Sequence, residues 1–145
     1  MKNIFVVIDA NFILVPFQFK IDYLEEIESK LQTKVRFIVF KQVVDELKAK
    51  ARREKNANKF FLQLNSGLSY LEKYNNKYSI LFDPAIKAFN ETSDDFLLRN
   101  CLELKKQGNL IYLATCDKDL KKKAKSQKIS LIFVRQKKFI SVERA

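Results

Sequence analysis

The sequence predicts an α/β fold, a three-layer α/β/α sandwich around a roughly five-stranded parallel sheet. Three observations carry the prediction. Short apolar runs alternate with longer amphipathic ones along 145 residues. The short runs are apolar throughout rather than at every second position, as strands covered on both faces are. The longer runs repeat their apolar residues at helical spacing. Strand and helix in alternation give a parallel sheet with right-handed crossovers. A chain of this length buries about 68–70% of its unfolded surface, so one domain over residues 1–145 is expected.

The elements follow in order. Ile4–Ile8 (IFVVI) reads as a buried strand that stops abruptly at Asp9. Residues 22–31 read as a short helix with Tyr23, Leu24, Ile27 and Leu31 on one face. Residues 35–40 (VRFIVF) form the second strand, and 41–54 a helix carrying Val43, Val44 and Leu47. The next helix, 58–74, places Phe60, Phe61, Leu64, Leu68 and Leu71 at helical spacing. Residues 78–82 are the third strand. Thr92 and Ser93 are both N-cap candidates for a helix through Gln107, which Gly108 ends. Residues 110–114 (LIYLA) are the fourth strand, 117–126 a short basic helix, and 130–134 (SLIFV) the fifth strand before a basic tail.

Composition excludes several chemistries. With no histidine, imidazole bases, Ser-His-Asp triads and HExxH zinc sites are ruled out. Two glycines far apart, Gly67 and Gly108, cannot build a phosphate-cradling loop. Two cysteines, Cys101 and Cys116, are too few for a disulfide framework or a zinc ribbon. Residues 1–5 run straight into a strand pattern, and no apolar run is long enough to cross a bilayer, so a cytoplasmic protein without a membrane partner is expected. What stands out is charge: 28 Lys and Arg against 17 Asp and Glu, a formal +11. That excess points to a polyanion, nucleic acid first.

In parallel sheets the working site lies beyond the carboxyl ends of the strands, where strand order switches. Acids gather at those positions. Asp9 ends the first strand and Asp117 follows the fourth. Asp94 and Asp95 open the helix before the fourth strand, and Glu46 lies in the helix after the second. Each also has a structural role open to it. Asp117 can cap a helix, Asp94 and Asp95 can oppose a helix dipole, and Thr92-x-x-Asp95 resembles a capping box. Glu46 can pair with Lys50, and Asp9 can shape a turn. Together, however, four carboxylates in one mouth repel one another and call for a cation. Oxygen donors without His or Cys select Mg²⁺ or Mn²⁺. Such an ion activates water without imidazole and neutralises a scissile phosphate, which is the chemistry of phosphodiester hydrolysis.

Candidate RNA contacts are Lys48, Arg52 and Arg53 beyond Glu46, Lys118, Lys121 and Lys122 beyond Asp117, and Arg135 and Lys137 after the fifth strand. Lys50, Lys55, Lys123, Lys125, Lys128 and Lys138 thicken the same clusters. Phe17, Phe19 and Phe139 are open to base stacking or to core packing.

Four stretches in order, Val6-Val7-Ile8-Asp9-Ala10-Asn11-Phe12, Val44-Asp45-Glu46-Leu47, Asp94-Asp95-Phe96-Leu97 and Ala114-Thr115-Cys116-Asp117-Lys118-Asp119-Leu120, resemble the four motifs of PIN-domain ribonucleases. ATCDKDLKKK and VPFQFKID are most similar to archaeal PIN proteins akin to the nuclease that cuts pre-ribosomal RNA, with VapC toxins next. The resemblance implies a Mg²⁺- or Mn²⁺-dependent endoribonuclease, a hydrolase whose metal ligands fall on Asp9, Glu46, Asp94 and Asp117. It prefers Asp94 to Asp95, because the family acid lies three residues before an apolar helix position, here Leu97. Asn11, Asp95, Thr115 and Asp119 become the outer-shell candidates. RNA, a ribosomal precursor or tRNA, is the expected partner, and a second copy of the chain, an antitoxin or a ribosome-assembly factor are further candidates. Two other functions fit the same sequence: a VapC-type toxin cutting tRNA or rRNA, and a non-catalytic RNA-binding assembly factor. A haloacid-dehalogenase-type phosphatase would need a second Asp where Asn11 stands.

Overall fold

The computed structural model describes residues 3–55 and 57–145. Met1 and Lys2, which begin the expected N-terminal run-in, and Asn56 lie outside the described residues.

Among the described residues six strands form one sheet: β1 (Ile4–Ile8), β2 (Arg36–Phe40), β3 (Ser79–Asp83), β4 (Leu110–Ala114), β5 (Ser130–Arg135) and β6 (Phe139–Glu143). Seven helices surround it: α1 (Ala10–Ile13), α2 (Val15–Phe19), α3 (Tyr23–Leu31), α4 (Lys41–Arg53), α5 (Ala57–Lys73), α6 (Ser93–Lys106) and α7 (Lys118–Ser126). The spatial order is β3-β2-β1-β4-β5-β6. Strands β1 to β5 pair in parallel, and β6 runs antiparallel to β5.

The apolar strands are explained by two cores. Val6, Ile8, Phe37, Val39, Tyr112 and Ala114 face one layer, with Phe12, Tyr23, Leu24, Leu64 and Leu71 of the helices on that side. Val7, Ile38, Phe40, Ile111 and Leu113 face the other, against Phe96, Leu97 and Cys101 of α6 and Leu120 and Ala124 of α7. Alternate residues of one strand therefore serve opposite layers, so neither face can be polar.

The sequence reading placed five strands and five helices close to where they lie, and missed three elements. The basic tail is in fact a hairpin. Gln136 and Lys137 turn the chain with φ of 54° and 56°, and the Lys138 amide donates to the Arg135 carbonyl at 3.1 Å. Asn-Gly or Asp-Gly would announce such a turn, and neither is present. The segment after Asp9 forms two short helices, too brief for a periodic pattern, although Pro16 sits at the start of α2, where proline is at home. Elsewhere the expected end signals hold. Thr92, not Ser93, caps α6 by accepting from the Asp95 amide at 3.1 Å, and Gly108 takes a φ of 90° just past its end. No described helix is long and apolar enough to cross a membrane.

Candidate active site

Strand order reverses at β1. The chain goes from β1 outward to β2 and β3, then returns to place β4 on the other side of β1. The crevice at such a switch opens beyond the carboxyl ends of the two central strands. Ile8, the last residue of β1, pairs with Ala114, the last of β4, so Asp9 and Thr115 emerge side by side.

Asp9 is buried, 8% exposed, and its amide donates to the Ala114 carbonyl at 2.9 Å. One carboxylate oxygen accepts from the Ala10 amide at 2.7 Å, capping α1. The other accepts from the Thr115 hydroxyl at 2.8 Å. Thr115 is fully buried, and its oxygen also accepts from the Asp117 amide at 3.1 Å. A single threonine thus ties both acids to the ends of the central strands. Asp117 caps α7, one oxygen accepting from the Leu120 amide at 3.0 Å. Capping and cleft-lining coexist, since each carboxylate has more lone pairs than its cap uses.

A cleft of about 300 Å³ opens over these groups, lined by Asp9, Asn11, Glu46, Ser93, Asp94 and Asp117, with Lys50 and Arg53 at its edge. All four expected ligands therefore meet in one place. Burial pushes the Asp9 carboxyl above the usual aspartate value, and the Thr115 and Ala10 donors only partly offset this. The negative charges of Asp94 and Asp117 push it further up. Asp94 is also raised, first by burial and then by Asp117, against the opposing pull of Lys123, 3.8 Å away.

Glu46 differs. Burial would raise it, but donors outweigh burial and hold it below the usual glutamate range. Lys87 forms an ion pair with it, Ser93 donates to one oxygen, and the Gln42 amide donates to the other at 3.2 Å. The expected Lys50 partner is thus replaced by Lys87, from the segment between β3 and α6. Sequence reading did not single out Lys87, nor assign Ser93 to Glu46. Their signal was position, since both lie between the end of the third strand and the first turn of the next helix.

The donor set is oxygen only, and Asp9, Asp94 and Asp117 repel one another, which fits a hard divalent cation. Among the described residues, no three acids stand close enough to hold one ion as placed. Both oxygens of Glu46 already accept hydrogen bonds from the chain's own donors, one of them within the Lys87 ion pair.

The outer candidates divide. Thr115 touches two of the acids, and Asn11 lines the cleft. Asp95 and Asp119 are exposed in the first turns of α6 and α7. The basic candidates divide as well. Arg53 borders the cleft, whereas Lys48 lines a separate groove with Lys41, Asp45 and Phe82. Lys118, Lys121 and Lys122 line another with Phe133, over whose ring Lys121 stacks at 4.5 Å. Arg52 is exposed in the last turn of α4, and Arg135 and Lys137 at the β5–β6 hairpin.

The chain is similar to known proteins in sequence and in fold. The curated Ribonuclease VapC4 of Methanocaldococcus jannaschii is 28% identical over 137 residues, covering 94% of this chain and 95% of its own. A solved structure of the PIN domain endonuclease Utp24 matches with a TM-score of 0.69 at 25% identity, over 97% of this chain and 92% of that one. A domain of a functionally unknown protein, also from Methanocaldococcus jannaschii, shares the fold at a TM-score of 0.58 and 19% identity, over 90% of this chain and 91% of that one. The family model for a PIN-like domain matches residues 6–137, a span that starts inside β1 and holds every acid of the cleft. By that match, the chain belongs to the PIN-like domain family.

Proposed function

We propose that the chain is a divalent-metal-dependent endoribonuclease. The observation that carries this is the meeting of Asp9, Glu46, Asp94 and Asp117, from four separate elements, in one cleft of a chain with net charge +11. Those four would hold Mg²⁺ or Mn²⁺. When bound, such an ion lowers the pKa of a water and offsets charge on a scissile phosphate. The chain's own residues do the rest. Thr115 fixes the Asp9 carboxylate and the backbone entering Asp117. Lys50 and Arg53 at the cleft edge offer charge to the phosphates of the strand. Lys123 restrains Asp94 from the opposite side.

Pre-ribosomal RNA is the substrate class that the sequence motifs imply. A second function, a toxin cutting tRNA or rRNA, is favoured by the likeness to Ribonuclease VapC4. The test is to map 5′ and 3′ ends after incubating precursor ribosomal RNA and tRNA with the chain in Mn²⁺, with and without chelator. Cleavage should need the ion, and Asp9→Asn should abolish it while leaving the circular dichroism spectrum unchanged. Cutting by that variant at the wild-type rate would remove the mechanism. Tight RNA binding with no ion-dependent cutting would leave an assembly factor.

A further inference from the structure

The segment between β3 and α6 is tied down along its length. Asp83 accepts from the Ala85 amide at 2.8 Å. Glu91 accepts from the Ala88 amide at 2.9 Å and from the Arg99 guanidinium at 2.8 and 2.9 Å. Arg99 also donates to the Ile86 carbonyl at 3.4 Å, and Asn90 reverses the chain with a φ of 62°. A segment built this firmly has a fixed inside, and Ala85 occupies it against the α6-side core. Yet Phe89 is 95% exposed and Ile86 75% exposed. Between them Lys87 reaches Glu46, one of the acids that line the cleft. Two residues span at most about 7 Å of backbone, so Phe89 shares a short stretch of loop with the side chain that reaches Glu46.

We propose that Phe89 is a stacking platform for a nucleobase of single-stranded RNA whose backbone crosses the cleft. The inference rests on the ribonuclease function above. Base stacking on an exposed ring needs one flat face and no groove, which is what a lone phenyl on a tied loop offers. Two exposed side chains fall far short of the roughly 800 Å² per partner of a stable protein interface. The cationic edge of Lys50 and Arg53 supplies charge for the phosphates but nothing flat for the bases. Of the rings singled out from sequence, Phe17 and Phe139 are 41% and 37% exposed, and Phe19 packs against the core.

The experiment measures fluorescence anisotropy of a labelled 12-nucleotide single-stranded RNA with wild-type chain, Phe89→Ala and Phe89→Trp, in chelator so that nothing is cut. The same series is repeated with Ca²⁺ in place of chelator, so that the cleft's acids are neutralised, and on oligonucleotides carrying one abasic site, moved along the strand. Phe89→Ala should weaken binding of the intact strand about tenfold, and Phe89→Trp should retain it. With the abasic site at the stacked position, wild type and Phe89→Ala should bind alike. The inference is overturned if Phe89→Ala binds intact RNA as wild type does, or if its loss is the same at every abasic position. It is equally overturned if the variant loses self-association in sedimentation while RNA affinity is unchanged. Failure of the wild-type chain to bind RNA at all would instead bring down the ribonuclease function, and this inference with it.

Discussion

Asp9 is buried where the central strands end, with its carboxylate in the acidic cleft. Its carboxylate is buried, and Asp94 and Asp117 repel it, so the folded chain holds a proton on it more tightly than the unfolded chain does. The sign then follows. The contribution of protonated Asp9 to stability is present below its unfolded pKa and is lost as pH rises through the raised folded value. Asp9→Asn removes that loss. In thermal melts without divalent ions, the variant's Tm should pull ahead of wild type as pH goes from about 4 to 7, and Mn²⁺ should narrow the gap by stabilising wild type alone. A variant that melts below wild type at pH 7, by the same margin as at pH 4, would show that Asp9 is a structural cap and no more. Asp9 and Asp117 were legible in the sequence because one ends a buried apolar strand abruptly and the other follows such a strand by three residues. The Glu46–Lys87 pair was not, because nothing in the spacing of residues 46 and 87 says that they meet.

At the scale of elements, helices with long apolar stripes were legible, and contacts between them were not. Gly67 lies inside α5, where glycine costs about 1 kcal/mol relative to alanine. Its reason is tertiary. A Cβ there would sit 2.2 Å from the Ile13 carbonyl oxygen, so the helix crosses α1 backbone to backbone. Gly67→Ala should therefore destabilise despite its better propensity, by about 1–3 kcal/mol, read as a lower urea midpoint with unchanged slope. A gain in stability would mean that α1 and α5 part more easily than this packing allows. The β5–β6 hairpin went unread for a related reason. Gln136 and Lys137 adopt the left-handed conformation that glycine or asparagine usually signals, and their polarity, with no turn dipeptide, reads as a solvated tail.

For the whole molecule, a net charge of +11 surrounds a cleft lined by four acids and two basic residues. Attraction and chemistry are thereby separated: the surface gathers the polyanion, and the cleft receives it only where something cationic intervenes. Affinity for single-stranded RNA should fall with salt, log Kd against log salt having a slope of about 4 for some six phosphates neutralised. A flat response in anisotropy titrations would mean that the excess charge plays no part in binding. The Lys87–Glu46 pair adds a further consequence. An ammonium tethered to the protein already sits against one of the acids, so a divalent ion ligated there would share Glu46 with Lys87 or displace it, and would not fill an empty space. Were the ion to displace Lys87, linkage would make the exchange reciprocal: whatever draws Lys87 away from Glu46 would strengthen the grip on the ion, and whatever strips the ion would return Lys87 to its latch.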